Sequence, residues 1–138
     1  MFEIRPVGHV ESVLTDRDDA PRQADEGAPD AWVVLAPAVR AAAADIAPGD
    51  ELVVITWLHG ADREVLVVHP RSDPSRPPTG VFSTRSPARP NPLGLHTVRV
   101  LAVEDTDGLR IHVDALEAFD GTPVVDLKRT LAARPEDR

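Results

Sequence analysis

The sequence predicts a mainly β fold, a single antiparallel β-barrel domain with one short helix. Three observations support it: seven or eight short segments rich in apolar and β-branched residues, turns with glycine or proline between most of them, and only one helix-prone stretch. Closure into a barrel is expected because it would limit the number of exposed strand edges. With 138 residues, no internal repeat and no long linker, residues 1–138 are predicted to form one domain.

The first half of the chain supplies three predicted strands and the helix. The strands are expected at Val7–Val13, Ala31–Leu35 and Glu51–Leu58. The third is apolar at nearly every position, which predicts a strand buried on both faces. Alanine-rich sequence over Ala38–Ile46 favours a helix, and the proline just before it suits the first helical position, where its missing N–H is harmless.

The second half reads as further strands joined by turns. Arg63–Val68 is the predicted hairpin partner of Glu51–Leu58, and Leu95–Glu104 is predicted to pair with Leu109–Leu116 across a turn that contains Gly108. A last strand is expected at Val124–Leu127. The polar residues 128–138 are expected to form a frayed tail.

Composition excludes several classes of function. The chain has no cysteine, so disulfides, thiolate catalysis and cysteine-held metals are absent, and its five histidines do not have metal-site spacing. Neither standard glycine-rich nucleotide motif occurs. No apolar run has the length of a membrane span and no secretion signal is evident, so a cytoplasmic protein without a membrane partner is expected. A net charge of −8 argues against non-specific wrapping on nucleic acid but permits a local basic patch.

Such a patch lies between Pro70 and Pro92, which contains seven of the fourteen prolines and four arginines against one acid. Its centre is the loop that runs from Gly80 to Leu95. Prolines fix their own φ and push the preceding residue toward an extended conformation, so the polar side chains between them lose little entropy on binding. Two arginines and an amide on a stiff loop suit an anionic or planar ligand. The alternative is a surface loop whose arginines pair with acids elsewhere in the chain.

Three other polar segments are expected near strand ends, where a barrel could bring them to one rim. They are Pro21-Arg22-Gln23, His59-Gly60 and Phe119-Asp120-Gly121-Thr122. The last offers a carboxylate and a backbone that a ligand can approach closely. Taken singly, each segment also fits a plain solvated loop, a tight turn or a strand cap.

Two stretches resemble the signature motifs of the TrmO (TsaA-like, formerly YaeB-like) methyltransferase family. They run from Gly80 to Leu95, through Arg85-Ser86-Pro87-Ala88-Arg89-Pro90-Asn91-Pro92, and from Asp120 to Lys128. With Trp57-Leu58-His59 and Pro21-Arg22-Gln23, the resemblance covers residues 5–131. It implies a single-domain barrel that forms a homodimer and binds S-adenosylmethionine without a Rossmann fold. It also implies methylation of N6 of threonylcarbamoyladenosine beside the anticodon of tRNA.

The resemblance also implies the positions of the site residues. The implied cofactor contacts are Pro21, Arg22, Gln23, His59, Gly60, Arg85, Leu95, Phe119, Asp120, Gly121 and Thr122. A ligand with a carboxylate, a cationic sulfonium and a flat adenine needs an acid and a base at different places, which Asp120 and either Arg85 or Arg22 would supply. Arg89 and Asn91 would then face the methyl acceptor. No catalytic base stands out.

Two features leave the identity of the acceptor open. Arg129-Thr130 follows Lys128 where the family usually has proline, and the chain is strongly acidic. One alternative is S-adenosylmethionine-dependent methylation of a small metabolite. A second, of a different class, is a non-catalytic barrel that binds the cofactor or RNA as a sensor or adaptor.

Overall fold

The computed structural model describes residues 1–15, 27–70 and 73–131. It is mainly β and its paired strands are antiparallel, as predicted. The strands are β1 (Gly8–Glu11), β2 (Ala31–Leu35), β3 (Glu51–Trp57), β4 (Val67–Val68), β5 (Thr79–Gly80), β6 (Leu93–Asp105), β7 (Leu109–Val113) and β8 (Pro123–Arg129).

Six of these strands form one closed sheet in the order β1-β2-β7-β6-β3-β8. The ring closes between the first and last strands, where Gly8 pairs with Val124 and His9 with Pro123. Pro123 suits this position because it opens its strand, where a missing N–H removes little from the ladder. The strands β4 and β5 form a separate two-stranded sheet.

The core lies inside the ring and consists of the side chains of every second residue along the strands, which point inward. It is aliphatic, with fully buried residues that include Val10, Val33, Leu52, Val54, Ile111, Val113 and Val124. The expectation that β3 is buried on both faces is wrong. Leu52, Val54 and Thr56 are buried, whereas the residues between them are half-buried. A single closed layer gives each strand only one interior face, so alternation is retained even in an apolar segment.

The predicted helix is present but differs in type and length. Pro37–Ala43 forms a 3-10 helix with proline in its first turn, instead of an α-helix that extends to Ile46. Its backbone bonds have three-residue spacing, as from the Ala44 N–H to the Ala41 carbonyl at 3.3 Å. A short run that ends in a turn at Gly49 is the usual setting for this tighter helix. A second 3-10 turn covers Val81–Ser83.

The predicted hairpin between Glu51–Leu58 and Arg63–Val68 is wrong. Both edges of β3 are occupied, because it pairs with β6 along its whole length and with β8 on the other side. Of the predicted partner, only Val67–Val68 is a strand, and it pairs with Thr79–Gly80. Sequence proximity favoured the local pairing, whereas β6 and β8, which come from further along the chain, pair with β3 over most of its length.

The hairpin between β6 and β7 is confirmed, with Gly108 at φ 85° in its turn. Its second strand ends at Val113 instead of Leu116, because Ala115 at φ 39° turns the chain out of the sheet. The expectation of a frayed tail is wrong at its first two residues, because Lys128 pairs with Val53 and Arg129 with Leu52. Residues 132–138 lie outside the described part.

Candidate functional site

Three of the predicted site segments lie at one rim of the barrel. β8, β3 and β6 are adjacent and antiparallel, with Val124 opposite Thr56 and Trp57 opposite Leu93. The start of β8, the end of β3 and the start of β6 therefore meet at the same end of the ring. The turn before β8, His59-Gly60 after β3, and Leu95 near the start of β6 belong to this rim. Pro21, Arg22 and Gln23 lie outside the described residues.

The turn at Phe119–Thr122 is fixed by the chain that continues from β1. The Asp120 N–H donates to the Leu14 carbonyl at 2.8 Å and the Gly121 N–H to the Val10 carbonyl at 2.7 Å. Gly121 has φ 83°, a left-handed conformation that glycine adopts without steric cost. The Asp120 side chain is exposed and accepts from the Ser12 N–H at 3.1 Å. The turn thus presents one oriented carboxylate at the rim.

Arg85 supplies a positive charge at the same rim. Its Nη2 donates to the Leu95 carbonyl at 3.0 Å, and the residue is otherwise exposed. The Leu95 side chain points outward and is 49% exposed. A cation and an apolar surface therefore lie side by side where the long loop meets β6.

A buried polar cluster lies directly inside this part of the barrel. Thr56 Oγ1 and His96 Nε2 are 2.8 Å apart, and both residues are at least nine-tenths buried. Gly94 packs against this pair, and a Cβ on it would lie 2.5 Å from Thr56 Oγ1 and 2.7 Å from His96 Nε2. Burial, and after it the positive charge of Arg85, lowers the pKa of His96 to about 4. His96 is therefore neutral at physiological pH.

Arg89 is directed into its own loop. Its Nη2 donates to the Thr84 carbonyl at 2.7 Å and also to the Val81 carbonyl. Its backbone N–H donates to the Asp62 carbonyl at 3.0 Å. These bonds tie the 3-10 turn at Val81–Ser83 to the segment after β3. In this structure Arg89 stabilises the loop; its contact with a methyl acceptor stays a prediction.

Asn91 has a partner that the sequence did not indicate. Arg63 Nη2 donates to Asn91 Oδ1 at 3.0 Å, and Arg63 Nε donates to the Pro90 carbonyl at 2.7 Å. The Arg63 guanidinium also lies over the Trp57 ring, 5.1 Å from its centroid. Sequence reasoning placed Arg63 in an ordinary strand. The only available signal in the sequence is that this arginine comes six residues after Trp57, an aromatic residue at the end of a strand.

Of the remaining predicted residues, Phe119 is half-buried and Thr122 is buried, and the roles of all of them stay predictions. His59 and Gly60 both face solvent, and a Cβ at Gly60 would meet nothing within 4 Å. Across residues 1–15, 27–70 and 73–131, no group of three histidine or carboxylate side chains could hold a metal ion. No helix in that same part of the chain is long and apolar enough to cross a membrane.

A cavity of about 290 Å³ lies elsewhere, at the opposite end of the barrel. It is bounded by the 3-10 helix, with Val39 and Ala43, and by Leu52 and Leu127. None of the predicted site residues lines it. The predicted site residues lie at the rim, so we take the rim and not this cavity as the candidate site.

Comparison with known proteins finds similarity over most of the chain. Residues 9–133 match the family profile described as tRNA-methyltransferase O N-terminal domain. Over 127 residues the chain is 42% identical to a probable S-adenosyl-L-methionine-binding protein of Methanothermobacter thermautotrophicus. The matched region covers 92% of this chain and 88% of that protein. A probable S-adenosyl-L-methionine-binding protein of Pyrococcus horikoshii is 37% identical over 131 residues, with 92% and 81% covered.

Among solved structures, the chain is similar to TrmO from Pseudomonas aeruginosa, with a TM-score of 0.69 at 25% identity. The match covers 94% of this chain and 56% of that one. The chain thus spans a little more than half the length of the solved structure.

Proposed function

Because this chain belongs to the tRNA-methyltransferase O N-terminal-domain family, we propose that it is an S-adenosyl-L-methionine-dependent methyltransferase. The proposed acceptor is N6 of threonylcarbamoyladenosine next to the anticodon of tRNA. Curated relatives are named as S-adenosyl-L-methionine-binding proteins, and we assign the same cofactor here. We further propose that the chain acts as one domain in the cytoplasm.

The observation that carries this proposal is the arrangement of charges at the rim. An exposed carboxylate at Asp120 and an exposed guanidinium at Arg85 lie at the same rim, and the guanidinium is next to apolar surface at Leu95. This donor set fits the cofactor, whose ammonium, carboxylate and adenine need an acid, a base and an apolar wall. Asp120 would hold the ammonium and Arg85 the carboxylate.

When bound, the cofactor supplies an electrophilic methyl group on a sulfonium. The protein's own contribution is alignment and electrostatic support. Two hydrogen bonds hold the long loop in place, one from Arg89 to the Thr84 carbonyl and one from Arg63 to Asn91. They fix the surface on which an acceptor would be positioned. His96 stays uncharged beside this surface, so no second positive charge is added next to Arg85.

Replacing Arg85 with alanine is expected to weaken S-adenosyl-L-methionine binding about tenfold to a hundredfold, since a charge-assisted contact contributes about 1.5–3 kcal/mol. Calorimetry measures this directly, with S-adenosyl-L-homocysteine as a second ligand that keeps both ends of the cofactor. Arg76→Ala, in a neighbouring loop, is the matched control because its arginine is exposed and pairs locally with Asp73. Unchanged affinity in the Arg85 variant, or no binding by the parent protein at millimolar ligand, would contradict the assignment.

Methylation of a small metabolite is the second candidate, and the net charge of −8 favours it because a polyanionic RNA would be repelled. The two are separated by incubating the protein with labelled cofactor and either tRNA or a metabolite extract. Digestion of labelled tRNA to nucleosides would identify the modified base. Label only in the small-molecule fraction would favour the metabolite.

We also propose a homodimer, supported by exposed apolar side chains on the outer face of β6 at Leu95 and Leu101. Light scattering at micromolar concentration is expected to give twice the 14.9 kDa chain mass. Leu101→Asp should shift the protein toward monomer, whereas Phe2→Asp, at an exposed apolar residue away from β6, should not. A monomeric parent protein with full activity would contradict the dimer.

A further inference from the structure

Arg63 is held in one orientation although its side chain is exposed to solvent. Two of its nitrogens are committed to one edge of the loop, Nε to the Pro90 carbonyl and Nη2 to Asn91 Oδ1. One side of the guanidinium lies over the Trp57 ring. An exposed arginine normally samples many rotamers, and these three contacts restrict Arg63 to one of them.

The loop does not depend on this arginine alone for its position. The Leu58 N–H donates to the Pro92 carbonyl at 2.8 Å, and the Arg89 N–H donates to the Asp62 carbonyl at 3.0 Å. Both backbone bonds anchor the loop to the segment after β3 without Arg63. The guanidinium is therefore not the only anchor of the loop, and its exposed position over Trp57 leaves it accessible to a further planar group.

We propose that Arg63, supported by Trp57, is a stacking platform for an unpaired base of the RNA acceptor. The inference rests on the proposed function and names how the acceptor is recognised. Single-stranded bases stack on aromatic rings and on arginine guanidinium planes, and a base on the exposed side of Arg63 would extend the cation–π contact that it makes with Trp57. A platform that is already rigid loses little further entropy when a base arrives.

Charge supports a local contact of this kind. The chain as a whole is acidic, so its overall field does not attract RNA. Recognition then depends on a few preorganised contacts at the rim, where Arg63 and Arg85 are both exposed. An anticodon loop fits this surface because its bases are unpaired and accessible to stacking.

Substitution of Arg63 by lysine tests the platform, since lysine keeps the charge and removes the planar face. The probes are fluorescent tRNA that carries threonylcarbamoyladenosine, followed by anisotropy at several salt concentrations, and S-adenosyl-L-methionine, followed by calorimetry. Arg63→Lys is expected to weaken tRNA binding roughly tenfold with an unchanged salt slope, and to leave cofactor affinity and the dimer mass unchanged. Arg76→Lys, the control, should behave as the parent protein.

Other outcomes would overturn the inference in distinguishable ways. Full tRNA binding by Arg63→Lys, together with a loss and a shallower salt slope in Arg63→Ala, would indicate a phosphate contact. A loss of cofactor affinity alone would mean that the planar partner is the adenine of the cofactor. A lower melting temperature with equal losses for both ligands would indicate a purely structural role. Failure of the parent protein to bind or methylate tRNA would reject the proposed acceptor and the platform together.

Discussion

Replacing Gly94 with alanine is expected to lower the free energy of unfolding by about 3 kcal/mol. The new Cβ would lie 2.5 Å from Thr56 Oγ1 and 2.7 Å from His96 Nε2, inside the barrel. Overpacking a core costs about 1–3 kcal/mol, and separation of the Thr56–His96 bond leaves buried polar atoms without a partner, which adds a similar amount. Urea unfolding at fixed protein concentration measures the change.

Gly80→Ala is the matched control for this experiment. A Cβ at Gly80 would meet nothing within 4 Å, and its φ of −59° is accessible to any residue. Its stability should stay within about 0.5 kcal/mol of the parent protein. If Gly94→Ala were equally harmless, the close approach of β6 to the polar cluster would not constrain the fold. A folded Gly94→Ala protein should also bind the cofactor more weakly, because the Leu95 carbonyl orients Arg85.

Acidification is expected to destabilise the protein through His96. Its pKa is about 4 in the folded state, against 6.5 for an unperturbed histidine. Between these values the unfolded chain binds a proton that the folded chain does not, so stability is lost as pH falls from about 6.5 to about 4. The full loss is about 3 kcal/mol, and about 2 kcal/mol of it should be present at pH 5.

His96→Gln isolates this contribution from that of the other titrating groups. Glutamine keeps a hydrogen-bonding side chain and does not titrate. Between pH 7.5 and pH 5 the variant should therefore lose about 2 kcal/mol less stability than the parent protein loses. Parallel pH profiles for the parent protein and His96→Gln would show that His96 is not buried as described.

Local features of the fold were predictable, whereas long-range pairing was not. The β6–β7 hairpin follows from two alternating segments around Gly108, all within a short stretch of sequence. The partners of β3 come from far along the chain, and several apolar strands offer similar burial, so the sequence pattern does not select among them. Burial on one face of β3 likewise depends on closure of the sheet, a property of all six strands together.

The same distinction applies to the candidate site. The stiff loop with Arg85 could be identified from prolines and charge. That Arg89 turns inward to the Thr84 carbonyl depends on the folded path of the loop, which composition does not encode. The buried Thr56–His96 pair could have been suspected, because a glycine inside a strand often marks a close approach by another group. The contact of Arg63 with Trp57, which makes Arg63 a candidate for acceptor binding, depends on the folded chain and is not visible in the sequence.

The pairing of Gly8 with Val124 has a consequence for how the chain folds. The contact that closes the ring joins residues near opposite ends of the sequence, so β1 has no partner on that side until β8 has been synthesised. Proteins dominated by such non-local contacts fold slowly, on the millisecond to second scale, because loop-closure entropy is lost before the contacts form. During synthesis β1 can pair early with β2, while its other edge stays unpaired until β8 is made and is vulnerable to aggregation.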